Sequence, residues 1–118
     1  MRVLVCGSRD WSDKDAIKKE LESIKNITVL IHGACRGADV LAGEAAKELN
    51  IPIKEFIANW NMYGLSAGPK RNQQMLDEGK PDYVLAFHDN IASSKGTKDM
   101  ISRVIKSGIN YKIISNKI

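Results

Sequence analysis

The feature that most constrains this chain is its alternation. Short apolar runs recur along its length, and a helix-patterned stretch separates each from the next. The runs at Arg2–Cys6, Thr28–Ile31, Ile53–Ile57, Tyr83–Phe87 and Tyr111–Ile114 include several rich in β-branched or aromatic residues. They are nearly continuous in hydrophobicity, as strands covered on both faces must be. Between them lie four helix patterns. The first starts at Ser12, with Asp15 completing a capping box, and aligns Ile17, Leu21 and Ile24. The second aligns Ala38, Leu41, Ala42, Ala45 and Leu49, small residues that allow close approach to a sheet. The third opens at Gly68-Pro69 and ends near Gly79; the fourth opens near Thr97, buries Met100, Ile101, Val104 and Ile105, and stops at Gly108.

Strictly alternating strands and helices predict an α/β, Rossmann-like fold: an open, parallel, five-stranded sheet with helices on both faces. Right-handed crossovers put every strand-to-helix loop on one edge, where such sheets bind ligands. With 118 residues, a single domain over 1–118 is expected. The longest apolar runs are too short to span a bilayer, and Met1-Arg2 leads into only four apolar residues before Gly7-Ser8. A cytoplasmic protein without a membrane partner is therefore expected. Two cysteines make no disulfide scaffold. The net charge of +4 leans toward an anionic partner, although most lysines stand among acidic residues.

The loops to examine are Gly7–Ser12, His32–Ala38, Ala58–Pro69 and His88–Thr97. Gly7-Ser8-Arg9 combines a sharp turn with a hydroxyl and a cation; it reads equally as a plain turn before a capped helix. Gly33-Ala-Cys-Arg36-Gly37-Ala-Asp39 sets two glycines and an arginine before a helix N-terminus, where unpaired N–H groups favour an anion. Asp39 there could serve the dipole, meet a ribose or orient Arg36. Gly68-Pro-Lys-Arg71-Asn72 places cations at a helix start, which opposes the dipole unless an anion is bound. Gly96-Thr97-Lys98-Asp99 repeats the theme. Trp11, Trp60 and Tyr63 fall in the same loops, as base platforms or as core and interface fillers. Neither G-x-G-x-x-G nor a Walker A loop is present. Cys6, His32, Cys35 and His88 supply only half of a zinc motif. No cofactor and no metal site are expected.

Four stretches together resemble the SLOG superfamily, most closely its small YspA-like branch. They are Arg2-Val-Leu-Val-Cys-Gly-Ser-Arg-Asp-Trp11, His32-Gly-Ala-Cys-Arg-Gly-Ala-Asp39, Ala67-Gly-Pro-Lys-Arg-Asn-Gln-Gln-Met75 and Gly96-Thr-Lys-Asp-Met100. That superfamily includes cytokinin-activating phosphoribohydrolases, the Rossmann part of a DNA-processing protein, and nucleotide-sensing domains. The resemblance implies a pocket for a nucleotide-type ligand and a homodimer or larger homo-oligomer. The pocket residues expected are Gly7, Ser8, Arg9, Trp11, Gly33, Arg36, Gly37, Asp39, Trp60, Gly68, Arg71, Asn72, Gly96 and Thr97.

The phosphoribohydrolases pair an arginine with a glutamate in a Gly-Gly-x-Gly-Thr-x-x-Glu context. Arg71 corresponds to the arginine, whereas Met100 stands where the glutamate would be and only Asp99 is acidic. One step along a helix turns a side chain by about 100°. The leading expectation is thus a binder acting as sensor, carrier or sink. A nucleoside 5'-monophosphate N-glycosidase using Arg71 and Asp99 is the alternative, and single-stranded nucleic-acid binding the third.

Overall fold

The computed structural model describes residues 1–116. Five strands, β1 (Arg2–Gly7), β2 (Val29–His32), β3 (Ile53–Glu55), β4 (Tyr83–Phe87) and β5 (Asn110–Ile114), form one sheet. Its order is β3-β2-β1-β4-β5, and all four pairings are parallel. The helices are α1 (Lys14–Glu22), α2 (Ala38–Glu48), the single-turn α3 (Trp60–Tyr63), α4 (Ala67–Asp77) and α5 (Gly96–Ser107). This is the expected Rossmann-like α/β fold.

β1 shows why the apolar runs are continuous. Alternate residues of a strand face opposite sides of the sheet. Val3 and Val5 join Ile17, Leu21, Ala42 and Ala45 of α1 and α2 on one face. Leu4 and Cys6 join Met75, Leu76, Met100 and Val104 of α4 and α5 on the other. Small residues bring α2 in close: a Cβ on Gly43 would sit 3.2 Å from Nε2 of His32.

Three boundaries and one burial differ from expectation. α1 is capped by Asp13, whose Oδ1 accepts from the Ala16 N–H at 3.0 Å, so the start lies one residue later than the Ser12–Asp15 box requires. The segment before α4 is helical rather than an open loop, with α3 followed by a 3-10 turn at Gly64–Ser66. β3 ends at Glu55 because its neighbour β2 ends at His32, where the chain turns at Gly33; Ile57 beyond it is exposed. Ile105 is 55% exposed instead of buried. It is absent from the buried Met100–Ile101–Val104 stripe that packs α5 on the sheet.

Candidate functional site

From β1 the chain winds outward to β2 and β3; β4 then lies on β1's other side and leads to β5. At this reversal the loops diverge and leave a crevice above the carboxyl ends of β1 and β4. A cleft of about 620 Å³ opens there. Its floor is Cys6, Gly7, Met75 and Met100; its walls come from Ser8–Asp10, Trp60, Leu65, the start of α4 and Ser94–Thr97.

Two glycine turns lock the β1 and β2 loops together. A Cβ on Gly7 would collide with the Phe87 carbonyl and the Ala38 methyl, and one on Gly37 with the Ser8 and Arg9 carbonyls. Gly37 also has φ +80°, a region that L side chains avoid. The close approach lets the Ser8 N–H donate to the Phe87 carbonyl (2.9 Å), while the Ser8 carbonyl accepts from the Ala38 N–H (3.0 Å).

That arrangement alters the expected anion cradle before α2. Gly33 and Cys35 donate their N–H groups to Oδ2 of Asp39 at 3.1 and 3.2 Å. Ala34 donates to Nδ1 of His32 at 3.0 Å. With Ala38 bonded to Ser8, these four donors are engaged inside the protein rather than offered to a phosphate. Arg36 lies with its side chain 75% exposed, 3.7 Å from Asp10, and does not line the cleft. Asp39 is therefore the pin of this loop. Burial pushes its carboxyl up to about 6, against the opposing pull of the Cys35 and Gly33 N–H groups and of Arg71 and Arg9. Burial, with Asp39 nearby, also raises the Cys6 thiol far above its ordinary range, so this cysteine stays protonated. Burial lowers the His32 imidazole, although Glu55 opposes it.

The cation that reaches the cleft interior is Arg71, on the first turns of α4. Its side chain extends under the β2 loop, where Nη1 donates to the Gly33 carbonyl (2.6 Å), Nε to Oδ1 of Asn72 (3.2 Å) and Nη2 to Sγ of Cys35 (3.6 Å). Gly33 is glycine for this reason: a Cβ would stand 2.8 Å from the guanidinium carbon. Arg71 is 9% exposed, and no carboxylate among the described residues lies within ion-pair distance of it.

Asn72 links this cation to α5. Its Nδ2 donates to Oδ2 of Asp99 (2.9 Å) and to the Gly96 carbonyl (3.3 Å). The same Asp99 oxygen accepts from Nε of Arg103 at 2.9 Å. Partial burial works to raise the Asp99 carboxyl, but the Arg103 and Asn72 bonds outweigh it and hold the group below its ordinary value. Thr97 is buried; its N–H donates to Ser94 Oγ at 3.0 Å, so Ser94 rather than Thr97 caps α5.

The tryptophans divide. Trp60 is 47% exposed on the cleft wall, with its ring edge against Gly68. Trp11 is 5% exposed and packs on Phe87 with ring centroids 5.4 Å apart; its indole N–H donates to the Asp13 carbonyl (2.9 Å). Of the three aromatics considered, Trp11 is a core residue that holds the entry to α1, Tyr63 is exposed with Lys70 Nζ 4.9 Å from its ring centroid, and only Trp60 lines the cleft.

The structure thus brings Gly7, Ser8, Arg9, Asp39, Trp60, Gly68, Arg71, Asn72, Gly96, Thr97 and Asp99 to one cleft. Trp11, Gly33, Arg36 and Gly37 lie outside its lining, and Gly33 and Gly37 shape it from behind. The residue reading missed Ser94, Lys95, Leu65, Met75 and Met100 as lining. Ser94 carried a signal, since a serine three residues before a helical N–H is an N-cap pattern. Leu65 carried none. Among the described residues no three His, Cys, Asp or Glu side chains stand close enough to hold a metal.

Fold and cleft define an open parallel α/β protein with a ligand-sized crevice at the switch point of its sheet. The chain matches the YspA, cpYpsA-related SLOG family over residues 1–63. It belongs to that family. It is 35% identical over 117 residues to the Gene 61 protein of Mycobacterium phage D29, covering 92% of this chain and 91% of that protein. Its fold is similar to that of DNA processing protein A from Streptococcus pneumoniae, with a TM-score of 0.79 at 18% identity. The alignment covers 99% of this chain and 51% of that one, so the chain spans about half the length of that structure.

Proposed function

We propose that this protein binds a phosphorylated, nucleotide-type ligand in the β1–β4 cleft, as a sensor, carrier or sink. The observation that carries this reading is Arg71, a guanidinium nine-tenths buried, none of whose hydrogen bonds goes to a carboxylate. Removing a charge from water costs several kcal/mol in a real protein, and a counter-ion offsets it. A phosphate in the cleft would serve as that counter-ion, with Arg9 and Lys95 adding charge at the rim. About 620 Å³ is room for a nucleotide, since ligand sites run from about 300 to 1,000 Å³. Trp60 would offer a face to the base.

The test is native mass spectrometry of freshly purified protein, then calorimetry with pooled nucleoside phosphates. Arg71→Ala is expected to weaken binding at least tenfold, in line with about 1.5–3 kcal/mol for a hydrogen bond to a charged group. Absence of any adduct and any heat would reject the reading.

The N-glycosidase alternative keeps one observation in its favour: Asp99 is held ionised in the same cleft as Arg71 and is joined to it through Asn72. Against it, Oδ2 of Asp99 is shared between Asn72 and Arg103. Chromatographic release of free base that disappears in Asp99→Asn would make the protein an enzyme.

A further inference from the structure

Three carboxylates line the cleft. Asp10 extends into solvent and Asp99 is tied to Asn72 and Arg103, whereas Asp39 is buried in the wall. Gly33 stands between Asp39 and Arg71. Its N–H donates to Oδ2 of Asp39 at 3.1 Å, and its carbonyl accepts from Nη1 of Arg71 at 2.6 Å. The carboxylate and the guanidinium are thus held on two sides of one residue without forming an ion pair. Arg71 from α4 and Arg9 from the β1 loop both act on Asp39 through space.

The other titratable neighbours bring no charge of this kind. Cys6, near the end of β1, is kept as a neutral thiol by burial and by Asp39 itself. Cys35, on the β2 loop, meets Asp39 through its backbone N–H. His32, at the end of β2, turns Nδ1 to the Ala34 N–H and Nε2 toward Gly43, and burial makes its imidazole less basic. An anion bound at Arg71 must therefore lie close to one carboxylate. Ionised, Asp39 repels it across a wall shielded from water, where charges are poorly screened. Protonated, Asp39 leaves the full charge of Arg71 and Arg9 to the anion. Both loop N–H groups go to Oδ2, so a proton on Oδ1 leaves the β2 loop pinned and changes only the charge.

Resting on the reading of this cleft as an anion site, we infer that it is proton-coupled: an anion entering at Arg71 is accompanied by a proton taken up on Asp39, so acid strengthens binding. Binding stabilises the protonated form. Affinity thus rises as pH falls and levels off once Asp39 is protonated in the free protein, below about 6. A phosphate monoester titrates in the opposite sense, losing charge in the same range. Sulfate keeps both of its charges throughout, so it reads the protein's titration alone.

The test is titration of the full chain with sulfate at about pH 5 and about pH 8, followed by the NMR shifts of the Gly33 and Cys35 amides. Sulfate is expected to bind at least fivefold more tightly at the lower pH. Saturating sulfate is expected to move the midpoint of the Asp39 titration, seen at the same amides, upward by about 0.7 pH unit, which is that factor read from the other side. Asp39→Asn is expected to bind independently of pH, and more tightly than wild type at the higher pH; a merely structural role would weaken binding instead. If thermal melting shows that this variant does not fold, the midpoint shift in wild type decides alone. A wild-type affinity that ignores pH would overturn the inference, as would sulfate that moves neither amide. So would a pH dependence retained by Asp39→Asn, which would belong to His32 or His88. Calorimetry with nucleoside phosphates judges the nucleotide reading separately, so that reading stands if only the coupling fails. No binding of sulfate or of any nucleoside phosphate removes both.

Discussion

At the scale of single residues, Gly33, Asp39 and Arg71 act as one unit. The glycine makes room for the guanidinium, the guanidinium lies under the β2 loop, and Asp39 holds that loop by two N–H groups. Gly33→Ala would push against the far end of the Arg71 side chain rather than against backbone. It is therefore expected to cost little stability, roughly 1 kcal/mol or less, yet to weaken ligand binding as Arg71→Ala does. Urea melts beside calorimetry separate the two effects. Asp39 makes a pH prediction. Its carboxyl is raised by burial from 3.8 to about 6 in the folded protein, so the folded state holds the proton more tightly than the unfolded chain. The stability this contributes is fully present below pH 3.8 and is lost as pH rises through about 6. In urea unfolding across pH 4–8, wild-type stability should fall relative to Asp39→Asn over that window; parallel profiles would show that Asp39 titrates as an ordinary carboxylate.

At the scale of elements, a single hydrogen bond marks where α1 starts. Asp13→Ala removes the α1 cap and is expected to cost about 1 kcal/mol, whereas Ser12→Ala should be close to neutral. The reverse outcome in denaturant unfolding would restore the earlier start. The first helix was legible because Ile17 and Leu21 are four residues apart and both buried. Its start was ambiguous because Ser12 and Asp13 are equally good caps by type. Trp11, fixed to the Asp13 carbonyl through its indole, helps set where the chain enters α1. The segment between β3 and α4 was read as a loop because its four-residue helix is too short to show a 3.6-residue period. The α2 N-terminus misled for a different reason. Gly-rich sequence before a helix announces free N–H groups, but Asp39 and the Ser8 carbonyl come from positions whose approach no local pattern encodes.

At the scale of the whole molecule, two helical layers press on one sheet, and the cleft lies where the winding reverses. A ligand bound in the cleft would couple to the entire fold, because β1, β4, α4 and α5 all meet there. Any ligand specific for the folded state, at a hundred times its Kd, should add about 2.7 kcal/mol to stability. Thermal melting with and without the tightest-binding nucleoside phosphate measures this; an unchanged Tm would mean the ligand does not bind the native cleft. Self-association is also expected, and Met62 and Leu65 at 70% and 95% exposure are the apolar side chains a second copy would cover. Sedimentation velocity is expected to show a species heavier than the 13.1 kDa monomer, reduced by Leu65→Asp. A monomer at all concentrations would reject the expectation.

What the chain's own sequence determined was the kind of fold and the edge that carries the cleft. Alternating apolar runs and amphipathic stretches admit a parallel sheet between helices, and the handedness of the crossovers then leaves one edge for the loops. Glycine, arginine and tryptophan in those loops marked the neighbourhood. Which of them line the cleft was decided only by packing. Arg36 and Arg71 are alike as residue types, yet one extends into solvent and the other is folded under a glycine, because β2 and α4 meet across a gap of 38 positions in sequence. Charge and size are properties of a residue, but burial and partnership belong to the pair of surfaces that tertiary structure brings together.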